Sequence, residues 1–280
     1  MKPEDAPLTP PAGSRSVAVT GQRRGQRFDA QDCVAEEVPV ALEYNGISHA
    51  VMLATPADLE DFALGFSLTE GIVASAAEVY DMEPVASPGG VTLRVTIASA
   101  RLAALKERRR SLAGRTGCGL CGAERLADAV QPVPLLPSGA RFQAGAVLHA
   151  LQALRSRQAL HEATGATHAA GFAAADGTLR WVREDVGRHN ALDKLVGALL
   201  RSGEAAGDGF VVITSRASYE MVGKTARAGV TLLAAVSGVT GLAIDTAEAA
   251  GLALAGFARG DDLTLYAHPE RLLWSGDDGR

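Results

Sequence analysis

The sequence predicts an α/β protein, a small α+β unit followed by a larger unit in which strands and helices alternate. Three observations carry this reading. In the second half, short apolar runs alternate with helical patterns over short connections, the signature of a sheet covered on both faces. In the first half, a hairpin signal leads directly into a helix start. Between them, Gly114 to Ser138 shows neither rhythm, only Gly, Cys, Pro and short polar pieces.

The opening "MKPEDAPLTPPAGSR" is polar and Pro-rich, and residues 1–14 are expected to be a disordered tail. The unit 15–113 follows. Val38, Val40, Leu42 and Tyr44 alternate, Asn45-Gly46 supplies a type I′ turn, and Ile47, His49, Val51 and Leu53 alternate back. "TPADLEDFALGFSLTEG" predicts a helix with Thr55 as N-cap, Pro56 at its first position, Asp58 completing a capping box and Gly71 ending it. "GGVTLRVTIAS" predicts a strand, and Arg101 to Leu112 a short basic helix.

Residues 114–138 are expected to be a mobile loop or linker, the usual meaning of a long irregular segment in a compact protein. The unit 139–280 predicts helix Ala144–Arg157 and a hairpin turning at Asp176-Gly177. Helix Asn190–Leu200, strand Phe210–Thr214, helix Tyr219–Ala228, strand Val230–Val236, helix Thr246–Phe257 and strand Leu263–His268 come next. Such alternation predicts a largely parallel sheet.

Composition excludes several classes. With 47% hydrophobic and 21% charged residues the chain reads as globular, and a net charge of −5 gives no support to a general nucleic-acid binder. Three cysteines are too few for a disulfide framework, and neither a signal peptide nor a membrane-spanning stretch is evident. A cytoplasmic location is the expectation. Of 27 basic residues only Lys2, Lys106, Lys194 and Lys224 are lysine, so lysine is expected where a compact ammonium is wanted. The plain reading of Lys194 and Lys224 is nevertheless a solvated helix cation.

Ligands of such sheets collect where strands end and helices begin. "REDVGRHNALDK" (Arg183 to Lys194) and "TSRASYEMVGK" (Thr214 to Lys224) fall there, with Ser218 a plausible N-cap. They supply Asp185, Arg188, His189, Ser215, Arg216 and Lys224 as candidates. Free N–H groups at two helix N-termini beside Arg188 and Arg216 suit a phosphate. Asp185, Asp261 or Asp262 could accept from a guanine edge. "FARGDD" (Phe257 to Asp262) is read as running from a helix end to the last strand, so it need not share that edge. Each of these has a plainer reading: Asp185 and Ser218 as helix caps, His189 as a turn histidine, His168 as a sheet-surface residue, Arg108–Arg110 as an exposed helix face and Cys33 as incidental.

Cys118 and Cys121, in "RTGCGLCGAERL", admit four readings. A structural zinc site lacks a second pair. A zinc deaminase would show His-x-Glu ahead of Pro-Cys-x-x-Cys, and here Gly117 precedes Cys118. A thioredoxin-type couple would sit at a helix N-terminus after a strand. The fourth reading is sulfur carriage, in which Arg115 and Arg125 lower the thiol pKa and favour a nucleophilic thiolate.

"GCGLCG", "EDVGRHNALDKLVG", "TSRASYEMVGKTARAG" and "GFARGDDLTLYAHPERL", in this order, resemble the FdhD family of formate dehydrogenase accessory sulfurtransferases, over roughly Val17 to Leu272. The resemblance implies a sulfurtransferase that accepts sulfur from a cysteine desulfurase as a persulfide. It delivers that sulfur to the bis(molybdopterin guanine dinucleotide) molybdenum cofactor, its bound substrate, for the formate dehydrogenase catalytic subunit. Guanine nucleotide is expected to mimic the cofactor. Cys118 matches the family's persulfide-bearing position, with Cys121 an auxiliary thiol. The cofactor-binding segment falls on Phe257, Ala258, Arg259, Gly260, Asp261 and Asp262. The resemblance further implies a homodimer and a cytidine-deaminase-like three-layer α/β C-terminal domain without its zinc. The alternative is a non-catalytic cofactor-binding chaperone.

Overall fold

A computed structural model describes residues 9–112, 130–137 and 139–274. The chain opens with an unexpected ribbon, β1 (Ser14–Arg23) paired antiparallel with β2 (Gln26–Ala35). The hairpin of β3 (Val38–Tyr44) and β4 (Ile47–Ala54) turns at Asn45-Gly46 as expected. Helix α1 (Leu59–Thr69), β5 (Val79–Ser87), β6 (Gly90–Ile97) and α2 (Ser99–Leu112) complete a four-stranded sheet of order β4-β3-β6-β5 backed by α1. The N-cap of α1 is Asp58, in the left-handed region at φ 51°. Thr55 does not cap the helix, because its backbone and hydroxyl are bonded instead to the second half of the chain.

That half contains β7 (Phe142–Gln143), α3 (Ala144–Ser156), α4 (Ala159–Thr164), β8 (His168–Ala174), β9 (Leu179–Asp185) and α5 (Arg188–Ser202). Then follow β10 (Gly209–Ile213), α6 (Tyr219–Arg227), β11 (Leu232–Ala235), α7 (Gly241–Ala250), β12 (Ala253–Arg259), β13 (Asp262–Ala267) and β14 (Leu272–Leu273). The six-stranded sheet has the order β13-β12-β11-β10-β8-β9. The sheet is mixed rather than largely parallel: only the β10–β11 and β11–β12 ladders are parallel. Both hairpins, β8–β9 and β12–β13, close antiparallel, as tight turns require.

The sheet is the middle of three layers. Val211, Ile213, Leu233 and Leu254 face α5, α6 and α7, whereas Phe210, Val212, Leu232, Ala253 and Ala255 face α3. This two-sided burial explains one correction. Thr246–Phe257 is not one helix, since α7 stops at Ala250 with Gly251 at φ 69° and "ALAGFAR" becomes β12. Gly251 supplies the left-handed cap, and a run apolar on both faces suits a central strand better than a surface helix.

The two sheets meet through α1 and α5. A Cβ on Gly65 would lie 1.8 Å from the Asp193 carbonyl oxygen, and one on Gly197 would lie 1.9 Å from that of Asp61. Only glycine lets these backbones approach so closely. Polar groups close the rest of this seam. Asp61, 4% exposed, accepts from Arg183 and from Arg201 at 2.6–2.9 Å. Lys194 and Asp185, both fully buried, pair at 2.7 Å. Among the described residues, no helix is long and apolar enough to cross a membrane.

Candidate functional site

The sheet order decides which loops converge. Because β8 runs against β10, and β9 against β8, strands β9, β10, β11 and β12 all point the same way. Their carboxyl ends therefore share one edge, where α5, α6 and α7 begin. "FARGDD" belongs there too: its first residues end β12 and the rest is the turn into β13, so it does share the edge with the other two segments.

The loops are laminated. Ala217 N–H donates to the Gly238 carbonyl at 3.1 Å, Thr240 N–H to that of Ala217 at 3.2 Å, and Phe257 N–H to that of Ser237 at 3.0 Å. The Phe257 ring lies against Gly238, where a Cβ would stand 3.1 Å from Cζ. Phe257 itself has φ 50° and is 47% exposed. A large apolar side chain held in the left-handed region and half in solvent is costly, and such strain clusters at binding sites. Ala258 is buried, whereas Arg259, Gly260, Asp261 and Asp262 are exposed.

At the other end of the edge stands Arg188, the first residue of α5. It is half-buried, and its Nε is buried without a hydrogen-bond partner. A buried, unsatisfied guanidinium nitrogen costs stability, and an anion would satisfy it. The N-caps of α5, α6 and α7 are Gly187, Ser218 and Thr240, none with a side-chain cap, so first-turn N–H groups remain available. Ser218 Oγ donates instead to Glu220 at 3.2 Å. Arg216 is exposed; Ser215 is buried, its hydroxyl donating to the Arg216 carbonyl at 3.0 Å. His189 Nε2 lies 3.1 Å from Glu220 Oε2. Burial and then Arg188 hold His189 below the ordinary histidine value, with Glu220 opposing.

A cleft of about 610 Å³ opens at this edge beside β8, lined in part by Arg155, His161, Thr167, His168 and Thr214. Burial, then Arg188 and His161, lower the pKa of His168 and favour the neutral ring. Thus His168 is a cleft residue, not an ordinary sheet-surface one. Glu184 builds the wall: its carboxylate accepts from the N–H groups of Leu160 and His161 at the start of α4 and from Thr167 Oγ1. Sequence reasoning missed α4, His161 and Glu184, because a six-residue helix leaves too few turns to show a period.

Two predicted site residues have other employment. Asp185 accepts from Thr55 N–H, Gly187 N–H, Asn190 Nδ2 and Lys194 Nζ, leaving no lone pair for a guanine. Lys224, 6% exposed, donates to Thr69, Glu70 and both Asp193 oxygens at 2.8–3.0 Å. Burial disfavours its charge, but Asp193 and Glu70 outweigh that and hold it above the ordinary lysine value. Lys194 and Lys224 are therefore not solvated cations but buried ammonium groups. Cys33 is buried against Ser14. Cys118 and Cys121 lie outside the described residues, as do the side chains of Arg108–Arg110.

The chain returning from the cysteine segment is anchored at the same edge. Gln131 N–H donates to Tyr219 Oη at 2.5 Å, and Tyr219 is the first residue of α6. From there residues 131–136 run along the helices, Arg227 donating to the Pro132 carbonyl and Leu136 N–H to that of Ala250.

The family model described as FdhD/NarQ matches residues 35–273. The chain belongs to the FdhD/NarQ family. Among similar relatives, the sulfur carrier protein FdhD of Variovorax paradoxus is 57% identical over 272 residues, covering 97% of this chain and 98% of the relative. That of Bordetella petrii is 58% identical over 241 residues, covering 86% and 87%. A crystal structure of a protein from Desulfotalea psychrophila, described as a formate dehydrogenase accessory protein, superposes with a TM-score of 0.75 at 23% identity. It covers 93% of this chain and all of that one, and it shares the fold. The β1–β2 ribbon precedes the residues the family model matches, apart from its last one.

Proposed function

We propose that this chain is a cytoplasmic, homodimeric sulfurtransferase. It takes sulfur from a cysteine desulfurase as a persulfide on Cys118 and passes it to the bis(molybdopterin guanine dinucleotide) molybdenum cofactor destined for formate dehydrogenase. Relatives named as sulfur carriers support the sulfur chemistry. The observation that carries the reading is the meeting of two things at one edge: groups suited to an anionic ligand, and the anchored end of the segment bearing the cysteines. Cys121 and Gln131 are ten positions apart, a reach of at most about 35 Å.

The edge fits an extended, phosphate-bearing substrate. Strands β9 and β12 stand four places apart in the sheet, about 19 Å at ordinary strand spacing. Arg188 with its unsatisfied Nε lies near one end, and Phe257 and Arg259 at the other. A dinucleotide laid across them would bring phosphates to the cation and helix N-termini and a base to the exposed ring.

In loading, the Cys118 thiolate attacks the outer sulfur of the donor persulfide. The new S–S bond forms as the donor bond breaks, and the donor leaves as a thiolate. Peptide mass spectrometry after incubation with a cysteine desulfurase and free cysteine tests the proposal. The expected result is one added sulfur atom on the Cys118 peptide, lost on reduction. Guanosine diphosphate binding without sulfur uptake would instead make the chain a cofactor chaperone.

A further inference from the structure

The cleft beside β8 holds a buried polar group that the fold does not use. Gln158 joins α3 to α4 as the N-cap of α4, is 6% exposed and lines the cleft. An N-cap side chain ordinarily accepts from the second or third N–H group of its helix. Here those groups, on Leu160 and His161, donate instead to the Glu184 carboxylate at 2.9 and 2.8 Å. Glu184 takes the Thr167 hydroxyl as well, at 3.1 Å. The Gln158 amide is thereby displaced from its own helix, and among the described residues it has no hydrogen-bond partner. Buried amides are almost always bonded, and a bare one costs stability that a ligand would restore.

The chemistry of an amide selects the ligand. It offers a donor and an acceptor side by side. An anion would engage the donor and be repelled by the oxygen, whereas the edge of a flat heterocycle with an acceptor next to an N–H satisfies both. The cleft, at about 610 Å³, is of the size that holds small molecules. Its other deep polar group is committed, since Thr167 Oγ1 donates to Glu184. At the strand ends Thr214 Oγ1 accepts from Ala169 N–H at 2.9 Å. We propose that this cleft is a base pocket in which the Gln158 amide pairs with the 2-amino-4-oxopyrimidine edge common to guanine and pterin. Nε2 donates to the oxo group and Oε1 accepts from the ring N–H. The proposal rests on the cofactor named above, which carries that edge on its guanine and on its pterin heads. Phe257 offers such a head a ring face, and Gln158 offers it a hydrogen-bonding edge. His168 lines the same cleft and senses the charge of Arg188, so phosphates trailing from a bound head have cationic groups within reach.

Calorimetric titration of the full chain with guanosine and with 6-hydroxymethylpterin, neither of which carries a phosphate, tests the pocket. At least one is expected to bind the wild type, and the tighter of the two names the head that the cleft takes. Gln158→Leu removes both amide groups at similar volume and should weaken that ligand about tenfold or more. The melting temperature of the free variant should hold or rise, because no internal hydrogen bond is lost. A second arm needs no variant: 1-methylguanosine, which has no proton on that ring nitrogen, should bind the wild type at least about tenfold more weakly than guanosine. The proposal falls if Gln158→Leu binds both probes as tightly as the wild type does. It falls equally if guanosine is lost with Phe257→Ala and kept by Gln158→Leu, since the base then sits on the exposed ring alone. Binding of neither probe to the wild type also overturns it and leaves the amide to solvent. Sulfur uptake on wild-type Cys118 is read separately by mass spectrometry. Uptake without a base pocket leaves the sulfur-transfer reading standing, whereas a working pocket without uptake belongs to a cofactor chaperone.

Discussion

The seam between α1, α5 and α6 and the sheet edge above it use the same residue types to opposite ends. At the seam every charge is answered: Asp185 by Lys194, Asp61 by Arg183 and Arg201, Lys224 by Asp193 and Glu70. At the edge the accounts stay open, with an orphaned Arg188 Nε, three helix starts without side-chain caps and a half-exposed Phe257 in the left-handed region. Three or four residues separate the two behaviours, Asp185 from Arg188, His189 from Asp193, Glu220 from Lys224. One turn of helix takes a side chain from the packed seam to the rim where polar groups stay unpaired. The seam holds the edge in shape, and the edge spends that rigidity on unsatisfied groups.

The contrast breaks first at the buried pair. Asp185→Ala leaves Lys194 charged and fully buried, and should cost about 3–5 kcal/mol in urea unfolding. A loss under 1 kcal/mol would mean that the seam is not where stability resides. Gly197→Ala comes next. Its methyl group would stand 1.9 Å from the Asp61 carbonyl oxygen and force α1 from α5, for about 1–3 kcal/mol.

Arg188→Ala tests the opposite side of the comparison. It removes an unsatisfied buried nitrogen, so stability should hold within about 0.5 kcal/mol. Affinity for guanosine diphosphate by calorimetry should fall about tenfold or more, the worth of a charge-assisted hydrogen bond. A marked loss of stability with the affinity for guanosine diphosphate unchanged would transfer Arg188 to the structural side.

How far the sequence separates these regions depends on what physics it records. The β3–β4 hairpin was legible because Asn45-Gly46 names its turn, and the edge segments because strand ends and helix starts are signalled locally. Partnership is not recorded. Asp185 and Lys224 look like Arg188 and His189 in one dimension, and only the approach of α1 turns the former into buried pairs. Thr55 reads as a cap because its neighbours fit a capping box, yet its hydroxyl is claimed by Val186 N–H, far away along the chain. Residues 252–257 read as helix because alanine and leucine favour it, and burial on both faces overrode that preference. The β1–β2 ribbon carries no strong alternation of large apolar residues, so its period is faint.

The smallest effect expected is a pH dependence, and it turns on ligand. Burial, Arg188 and His161 hold His168 below 6.5, the ordinary value that the unfolded chain regains. Between its folded value and 6.5 the unfolded state therefore binds more protons, so stability is full above that window and declines as pH falls through it. Melting temperature should drop slightly from pH 7.5 to pH 5.5, and His168→Gln should flatten part of that slope. A phosphate bound at the edge would favour the protonated ring, so guanosine diphosphate should bind more tightly at pH 5.5 than at 7.5, and His168→Gln should reduce that gain. An unchanged melting slope in the variant would place the proton uptake elsewhere. A flattened slope with no change in the pH dependence of binding would leave His168 a buried neutral ring and confine the anion to Arg188 and the helix N-termini.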